Sequence, residues 1–470
     1  MMPPLISVIL LQKKQKLAKA WLFLGIFSLF ASGVFSILLV LSRTPFIQKH
    51  LPFADFFHTA IVVHVDLSVL IWFTCFASVL WTITCKHENW LDWLALKLAI
   101  LGTIIIIISP FIMDGHPLMN NYIPILQTPL FYAGLAFYSL GLLLRIIRSL
   151  IFPLQNPFIV LKAEQSFSIH PSIMLGIYCA ALTAFIAFMV FIFSLINLPD
   201  TLQPEAYFEV LFWGSGHILQ FTHLLLVCVV WLLLLQTSAA KSVTKSVTTI
   251  NYSVKYLSPL FIISFLPVLF APFLYLYYDL LSTQLQLQFT NLMKFGSLTA
   301  LPLGVVIFYF MLASIFQKNK QSALIYSLWC SFFLFAFGGF LGFMIEGANV
   351  IIPAHYHGSI VAITIAFMGL SYYLLEQFNY PLTPLTAKLA KIQPVIYTIG
   401  QFMHISGLAW SGGYGVKRKT LASAQGWQHF GEIAGMLFMG LGGLIAIIGG
   451  FLFIVIAFLA IKQARAIKNH

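Results

Sequence analysis

The sequence predicts an all-α integral-membrane fold, a bundle of twelve transmembrane helices, on three observations. The 470-residue chain is 60% hydrophobic and only 8% charged, too little polar surface for a water-soluble protein of this size. Its apolar runs are each about 20 residues or longer, enough to cross a hydrocarbon core as helices. They do not alternate apolar with polar residues as the strands of a membrane barrel do. With both termini placed inside, 19 of the 25 Lys and Arg fall on the inner side and 6 outside, which matches the positive-inside bias. The net charge of +12 is therefore read as membrane topology and not as a nucleic-acid footprint.

The spans follow in order. The first, 21–41, is preceded by Lys13, Lys14, Lys16 and Lys19; it is too long for a signal-peptide core and has no small-residue cleavage site after it, so it is expected to stay. The second, 57–84, carries His58 and His64. The third and fourth, 94–112 and 129–151, flank the loop Pro117-Leu118-Met119-Asn120-Asn121. The fifth is 172–196, and the sixth, 207–235, carries His217 and His223. The seventh, eighth and ninth, 256–279, 295–316 and 322–346, have no histidine. The tenth, 351–376, has His355 and His357 near its outer end; the eleventh, 392–410, leads to Lys417, Arg418 and Lys419, and the twelfth is 431–461. Loops are short, with no soluble domain, low-complexity stretch or repeat, so one membrane domain is expected to fill residues 1–470. Cys75, Cys85, Cys179, Cys228 and Cys330 lie in or at the ends of spans without a Cys-x-x-Cys or Cys-x-x-Cys-His, which leaves neither a disulfide framework nor a c-type haem attachment. Asp279, Glu346 and Glu376 lie at span ends, where solvated carboxylates are common, and receive no role.

The histidines carry the chemistry. Two residues apart on a helix, His355 and His357 project about 200° from each other, so one helix can present a ligand on each of two faces. Imidazoles inside a membrane are expensive and usually functional, and His is a common axial ligand of haem iron. The plainer alternative is a pair of polar side chains hydrogen-bonded within the bundle. Spans two, six and ten all enter from the outer side, which puts His64 and His217 about 15 Å deep at 1.5 Å per residue, broadly level with His355 and His357. His223 is six residues beyond His217, about 240° around the helix, so the two share no face; His223 is read as a core histidine. The outer basic cluster Lys417, Arg418 and Lys419 runs against the charge bias and calls for an anionic partner, which haem propionates would supply through charge-assisted hydrogen bonds; a solvated loop or lipid-headgroup contact is the alternative.

These residues resemble subunit I of the haem-copper oxidase superfamily, which includes respiratory oxygen reductases and nitric oxide reductases. The resemblance covers nearly the whole chain and its number of spans. Ala354-His355-Tyr356-His357 is similar to the family's Ala-His-Phe-His, which implies that His355 ligates a high-spin haem and His357 a low-spin haem. Ile61-Val62-Val63-His64 resembles the second-span motif with the other low-spin ligand, while His58-Thr59 offers a competing register; His64 is favoured. The loop Pro117 to Asn121 is similar to the stretch before span four. Gln401-Phe402-Met403-His404 through Gly407-Leu408 resembles the segment leading to the propionate-binding residues, here Arg418 and Lys419.

The departures concern the second metal, copper or non-haem iron, which the family binds with one His on span six and a His-His pair on span seven. His217, in Trp213-Gly214-Ser215-Gly216-His217, matches the first ligand, but span seven has no histidine. Counting back from Leu301-Pro302-Leu303-Gly304, which resembles the span-eight motif, places Tyr277 and Tyr278 at the pair. Neutral tyrosine is a poor copper ligand compared with imidazole, so these phenols are expected to donate protons or hydrogen bonds instead. Phe221 stands where relatives carry a tyrosine or a glutamate, and the lysine of one proton channel is absent near Val306.

The expected protein is thus a dihaem oxidoreductase subunit. Its low-spin haem is held by His64 and His357 and its high-spin haem by His355, with oxygen or nitric oxide bound on the side facing His217 and electrons passing along His357-Tyr356-His355. With no copper-pair or c-haem motif, the electron donor is another subunit, a cytochrome or a quinol. The expected setting is a bacterial inner membrane with both termini cytoplasmic. Two alternatives stay open: a haem protein that kept its haems but lost reduction chemistry, serving as gas sensor, haem handler or electron conduit, and a haem-free transporter.

Overall fold

The computed structural model describes residues 15–43, 56–85, 88–155, 170–240, 257–315, 322–346, 349–416 and 429–468, and these are almost wholly helical. Helix α1 is Gln15–Arg43. The second span is composite: α2 (Phe57–Val65), a π-helical turn (Asp66–Ile71) and α3 (Trp72–Thr84). Helix α4 (Trp90–Ile112) and α5 (Pro129–Gln155) enclose a minimal antiparallel hairpin, β1 (Pro117–Leu118) with β2 (Ile125–Leu126), in which Pro117 pairs with Leu126. Then come α6 (Pro171–Asn197) and α7 (Pro204–Ala240). The seventh span is α8 (Ser258–Phe265), a 3₁₀ stretch (Leu266–Phe270) and α9 (Ala271–Tyr277). The eighth is α10 (Thr283–Gly296), a 3₁₀ turn (Ser297–Ala300) and α11 (Leu301–Ile315). Four long helices finish the chain: α12 (Ala323–Phe343), α13 (Ile351–Gln377), α14 (Pro384–Gly412) and α15 (Phe430–Lys468).

Eleven of the described helical segments are long and apolar enough to cross a membrane. The expected eleventh span, 392–410, lies inside α14 but is not one of the eleven. Lys388, Lys391, Gln393, Gln401, His404 and Ser411 dilute its apolar content, although its 29 residues suffice in length.

Contacts divide the chain into two compact units. The first comprises residues 1–25 and 70–320, the second residues 26–69 and 321–470. In the first, one core is formed by Ala187 and Val190 of α6, Ile218 and Phe221 of α7, Val268, Ala271, Leu285 and Phe289. In the second, Leu334 and Leu341 of α12 pack with Ala354, Val361 and Ile365 of α13, Ile405 and Leu408 of α14 and Met436 and Met439 of α15.

Helix starts are written locally. Asn89 caps α4 by accepting from the amides of Leu91 and Asp92 while the Asp92 carboxylate accepts from the Asn89 amide, a reciprocal box. Thr383 accepts from Thr386 at the start of α14, with Pro384 in the first turn. Asp92 has a second task in the first unit. Fully buried Arg145 of α5 reaches it at 2.6 Å and Arg148 at 3.2 Å. Arg145 also donates to the Trp81 carbonyl and the Cys85 sulfur, each at 2.9 Å, so the buried cation is met on several sides.

The three histidine-bearing spans are the most enclosed. The span windows are 67% buried in 57–84, 83% in 204–238 and 89% in 351–377, whereas no other span exceeds 44%. The polar rings singled out in the sequence therefore lie on interior helices, not lipid-facing ones.

Candidate functional site

In the second unit, four histidines are each fixed by a ring nitrogen to a main-chain carbonyl. His355 Nδ1 bonds the Gly338 carbonyl of α12 at 2.7 Å, and His357 Nδ1 the Pro353 carbonyl one turn back at 2.8 Å. His404 Nδ1 bonds the Met439 carbonyl of α15 at 3.0 Å. His64 Nδ1 lies 3.0 Å from the Ser32 carbonyl and 2.9 Å from its Oγ, and Ser32 Oγ donates back to the His64 carbonyl at 3.0 Å. Because a carbonyl only accepts, Nδ1 carries the proton in each ring and Nε2 is the lone-pair nitrogen. This is how metal-bound imidazoles are oriented: the remote N–H is tied to a carbonyl or carboxylate, which fixes the tautomer and the ring plane.

The anchor on His355 depends on a close helix approach. A Cβ at Gly338 would sit 2.6 Å from the Ser359 amide and 2.7 Å from the Gly358 carbonyl carbon, so only glycine lets α12 bring its carbonyl to the ring. The ring of His58 meets the edge of Phe57 at 5.1 Å. The carbonyl four residues before it, that of Ala54, lies outside the described residues, so of the two competing positions on span two the anchor is described for His64.

In the first unit, His217 of α7 is 3% exposed and its Nδ1 bonds the Trp213 carbonyl at 2.7 Å. Its surroundings are aromatic: Trp213 at 4.9 Å, Tyr122 at 5.0 Å and Phe289 at 6.4 Å between ring centroids. Tyr122 comes from the β1–β2 hairpin. Its amide is held by Asn120 Oδ1 at 3.0 Å, and the neighbouring Asn121 bonds both carboxylate oxygens of Glu209 on α7. Gly216 makes room, since a Cβ there would enter the Tyr122 ring. Burial pushes the Tyr122 phenol well above its ordinary pKa, and the Glu209 carboxylate adds to the shift.

Other expected residues fall elsewhere. Tyr277, at the end of α9, is 80% exposed and does not line an interior site. Tyr278 is half-buried against the core of the first unit. The inward phenol of this segment is Tyr275, bonded to Ser194 Oγ at 3.1 Å and packed on Phe289 at 5.5 Å. His223 packs on the edge of Phe73 at 4.9 Å, and its Nδ1 has no hydrogen-bond partner among the described residues, in keeping with a core histidine. Lys417, Arg418 and Lys419 lie outside the described residues.

Two residues of this region received no role from the sequence. His404, inside a quoted motif, lies against His357 with ring centroids 5.1 Å apart. Asp66, two positions after His64, opens the π-helical turn and is 1% exposed, with no partner for either oxygen among the described residues. A carboxyl inside an apolar span is itself a functional signal, and π-turns recur at functional sites.

Comparisons with known proteins give the family and the fold. The family model described as "Cytochrome C and Quinol oxidase polypeptide I" matches residues 16–452. The chain belongs to that family. It is a divergent member of the haem-copper oxidase subunit I family and an integral membrane protein. An uncharacterized protein of Rickettsia prowazekii (strain Madrid E) is 31% identical over 94% of this chain and 95% of its own length. An uncharacterized protein of Aquifex aeolicus (strain VF5) is 27% identical over 77% of this chain and 85% of its own. Among solved structures, a heme-copper terminal oxidase dimer determined by cryo-EM matches with a TM-score of 0.66 and 16% identity, covering 98% of this chain and 84% of that one, which establishes the shared fold.

The donor sets differ in what they fit. Imidazoles with a carbonyl-fixed Nδ1 on interior helices suit axial ligation of haem. The aromatic surroundings of His217 do not suit copper or non-haem iron, which need several N or O donors converging at about 2 Å. Among the described residues no three His, Cys, Asp or Glu side chains converge in that way.

Proposed function

We propose that this chain is the dihaem subunit of a membrane oxidoreductase, in which His64 and His357 hold a low-spin haem and His355 holds a high-spin haem. Electrons from a partner subunit, cytochrome or quinol would reduce oxygen or nitric oxide. The observation that carries the reading is the shared Nδ1-to-carbonyl anchor of His64, His355 and His357, on positions that match the family's ligands.

Haem supplies, when bound, an iron that changes valence and an open position for a small gas. The protein's part is to bind and orient. Pro353 and Ser32 hold the two low-spin rings with Nε2 as the donor nitrogen, and the short path His357-Tyr356-His355 links the two ligand positions through the backbone. His217, by its family position, is assigned to the gas-binding side, and Tyr278 is kept as a hydrogen-bond donor; Tyr277 is not. Arg418 and Lys419, with Lys417, are assigned to the propionates. Neutralising Arg418 then lowers a haem potential, because a nearby cation stabilises the more negative reduced state. The distribution of basic residues and the bacterial relatives support a bacterial inner membrane with both termini cytoplasmic and α14 as the eleventh of twelve crossings.

The aromatic surroundings of His217 favour a second reading, a haem protein without reductase chemistry that senses gas, handles haem or conducts electrons. Reduced-minus-oxidised spectra of the purified protein, with haem and metal analysis, separate the readings. Two haems with turnover of oxygen or nitric oxide support the first; two haems without turnover support the second. No haem would leave a transporter. Stoichiometric copper would mean that another chain or the undescribed residues complete the His217 site.

A further inference from the structure

We propose that His404 is a positioning residue for the low-spin haem, setting the plane in which His357 is presented. The proposal rests on the reading of His357 as an axial ligand.

The rings of His404 and His357 lie 5.1 Å apart at 46°, and Tyr356 stacks on His357 at 5.0 Å and 28°. An imidazole bound through Nε2 keeps one soft motion, rotation about the metal–nitrogen axis. The Pro353 carbonyl resists it at Nδ1, and the two flat neighbours resist it at the ring.

His404 is itself immobilised by a second helix. Its Nδ1 bonds the Met439 carbonyl, and α15 closes on it because Gly442 has no side chain: a Cβ there would run into the His404 amide. At Gly443 a Cβ would lie 3.1 Å from the same Nδ1. An aliphatic residue at 404 would fill the volume at lower cost to a membrane helix than an imidazole that needs a carbonyl partner. The flat, anchored ring is what a positioning role requires. The plane of an axial imidazole is one of the means by which a protein adjusts the spectrum and potential of haem iron.

The test compares wild type with His404→Ala, His404→Leu and His404→Phe in the purified full-length chain, reading haem content, the electron paramagnetic resonance of the oxidised low-spin haem and its midpoint potential. Haem content should be retained in all three. The Ala and Leu variants should shift and broaden the low-spin signal and move the potential, while Phe, which keeps a flat ring, stays near wild type. If Leu also matches wild type, position 404 only fills space and the proposal fails. Unchanged signals in all three would overturn it as well. If His404→Ala does not fold, the Leu and Phe pair decides. Absence of a low-spin signal from wild type itself would overturn the His357 assignment, and this proposal with it.

Discussion

His217 of the first unit and His357 of the second are held by the same bond, ring Nδ1–H to the carbonyl four residues back, at 2.7 and 2.8 Å. Their surroundings are opposite. His217 is enclosed by Trp213, Tyr122 and Phe289 and is 3% exposed, whereas His357 is half-buried beside another histidine with its own carbonyl anchor. The helical carbonyl fixes the tautomer in both cases; the neighbours decide what the lone-pair nitrogen can reach. The haem reading rests on the second unit, and the chemistry attached to His217 has to be tested on its own.

The largest expected effect is at the second unit's proposed haem ligands. His357→Ala should abolish the low-spin haem signal while leaving the helical fold by circular dichroism, because one axial bond is lost and the core of α12 to α15 is untouched. His64→Ala should do the same and His58→Ala should not; the reverse pattern would move the ligand to His58.

Next is the enclosure of His217. Tyr122→Ala should destabilise the protein by about 3 kcal/mol, as loss of a large buried ring does, and should make His217 reactive toward diethylpyrocarbonate. Tyr122→Phe should keep His217 protected. Equal reactivity in wild type and Tyr122→Ala would show that the ring is not the barrier.

Gly338→Ala sits in the middle of the scale. The added methyl pushes against Gly358 and Ser359, so a loss of about 1–3 kcal/mol in thermal unfolding is expected, together with weakened high-spin haem retention as the carbonyl partner of His355 is displaced. The smallest effect is expected from Ser32→Ala. It removes the hydroxyl bond to the His64 carbonyl, about 1 kcal/mol, but keeps the Ser32 carbonyl on Nδ1. The low-spin spectrum should survive, and its loss would transfer the anchoring role to the hydroxyl.

The candidate histidines were legible because a pair two residues apart in an apolar helix stands out, and the helices carrying His64, His217 and His355 are the three most buried. The anchors of His64, His355 and His404 were not, since the carbonyls of Ser32, Gly338 and Met439 belong to other helices and leave no mark in composition or spacing. The tyrosine pair came from counting positions back from Leu301, which fixes a place in the sequence but not the face a side chain takes. Tyr277 ends α9 and is 80% exposed, and the phenol of this segment that faces inward is Tyr275. The eleventh span, 392–410, is expected to be apolar, but α14 is the polar exception among the long helices, with positions given to Gln393, bonded to Tyr372 and the Gly449 carbonyl, and to His404.

The buried pair of Arg145 and Asp92 bears on how the chain enters the bilayer during synthesis. An arginine at the centre of a membrane helix carries an insertion penalty of about 2.5–3.5 kcal/mol, and less toward its ends. Arg145 lies six residues from the end of the Pro129–Ile151 span, and its partner Asp92, in the first turn of the preceding helix, is made earlier and joined to it by the β1–β2 turn. Neither helix hides its charge alone. The α4–α5 hairpin is therefore the expected unit of insertion at this point: in glycosylation mapping of truncated chains, α4 should be less firmly inserted when the chain stops at Thr128 than when it extends past Arg145.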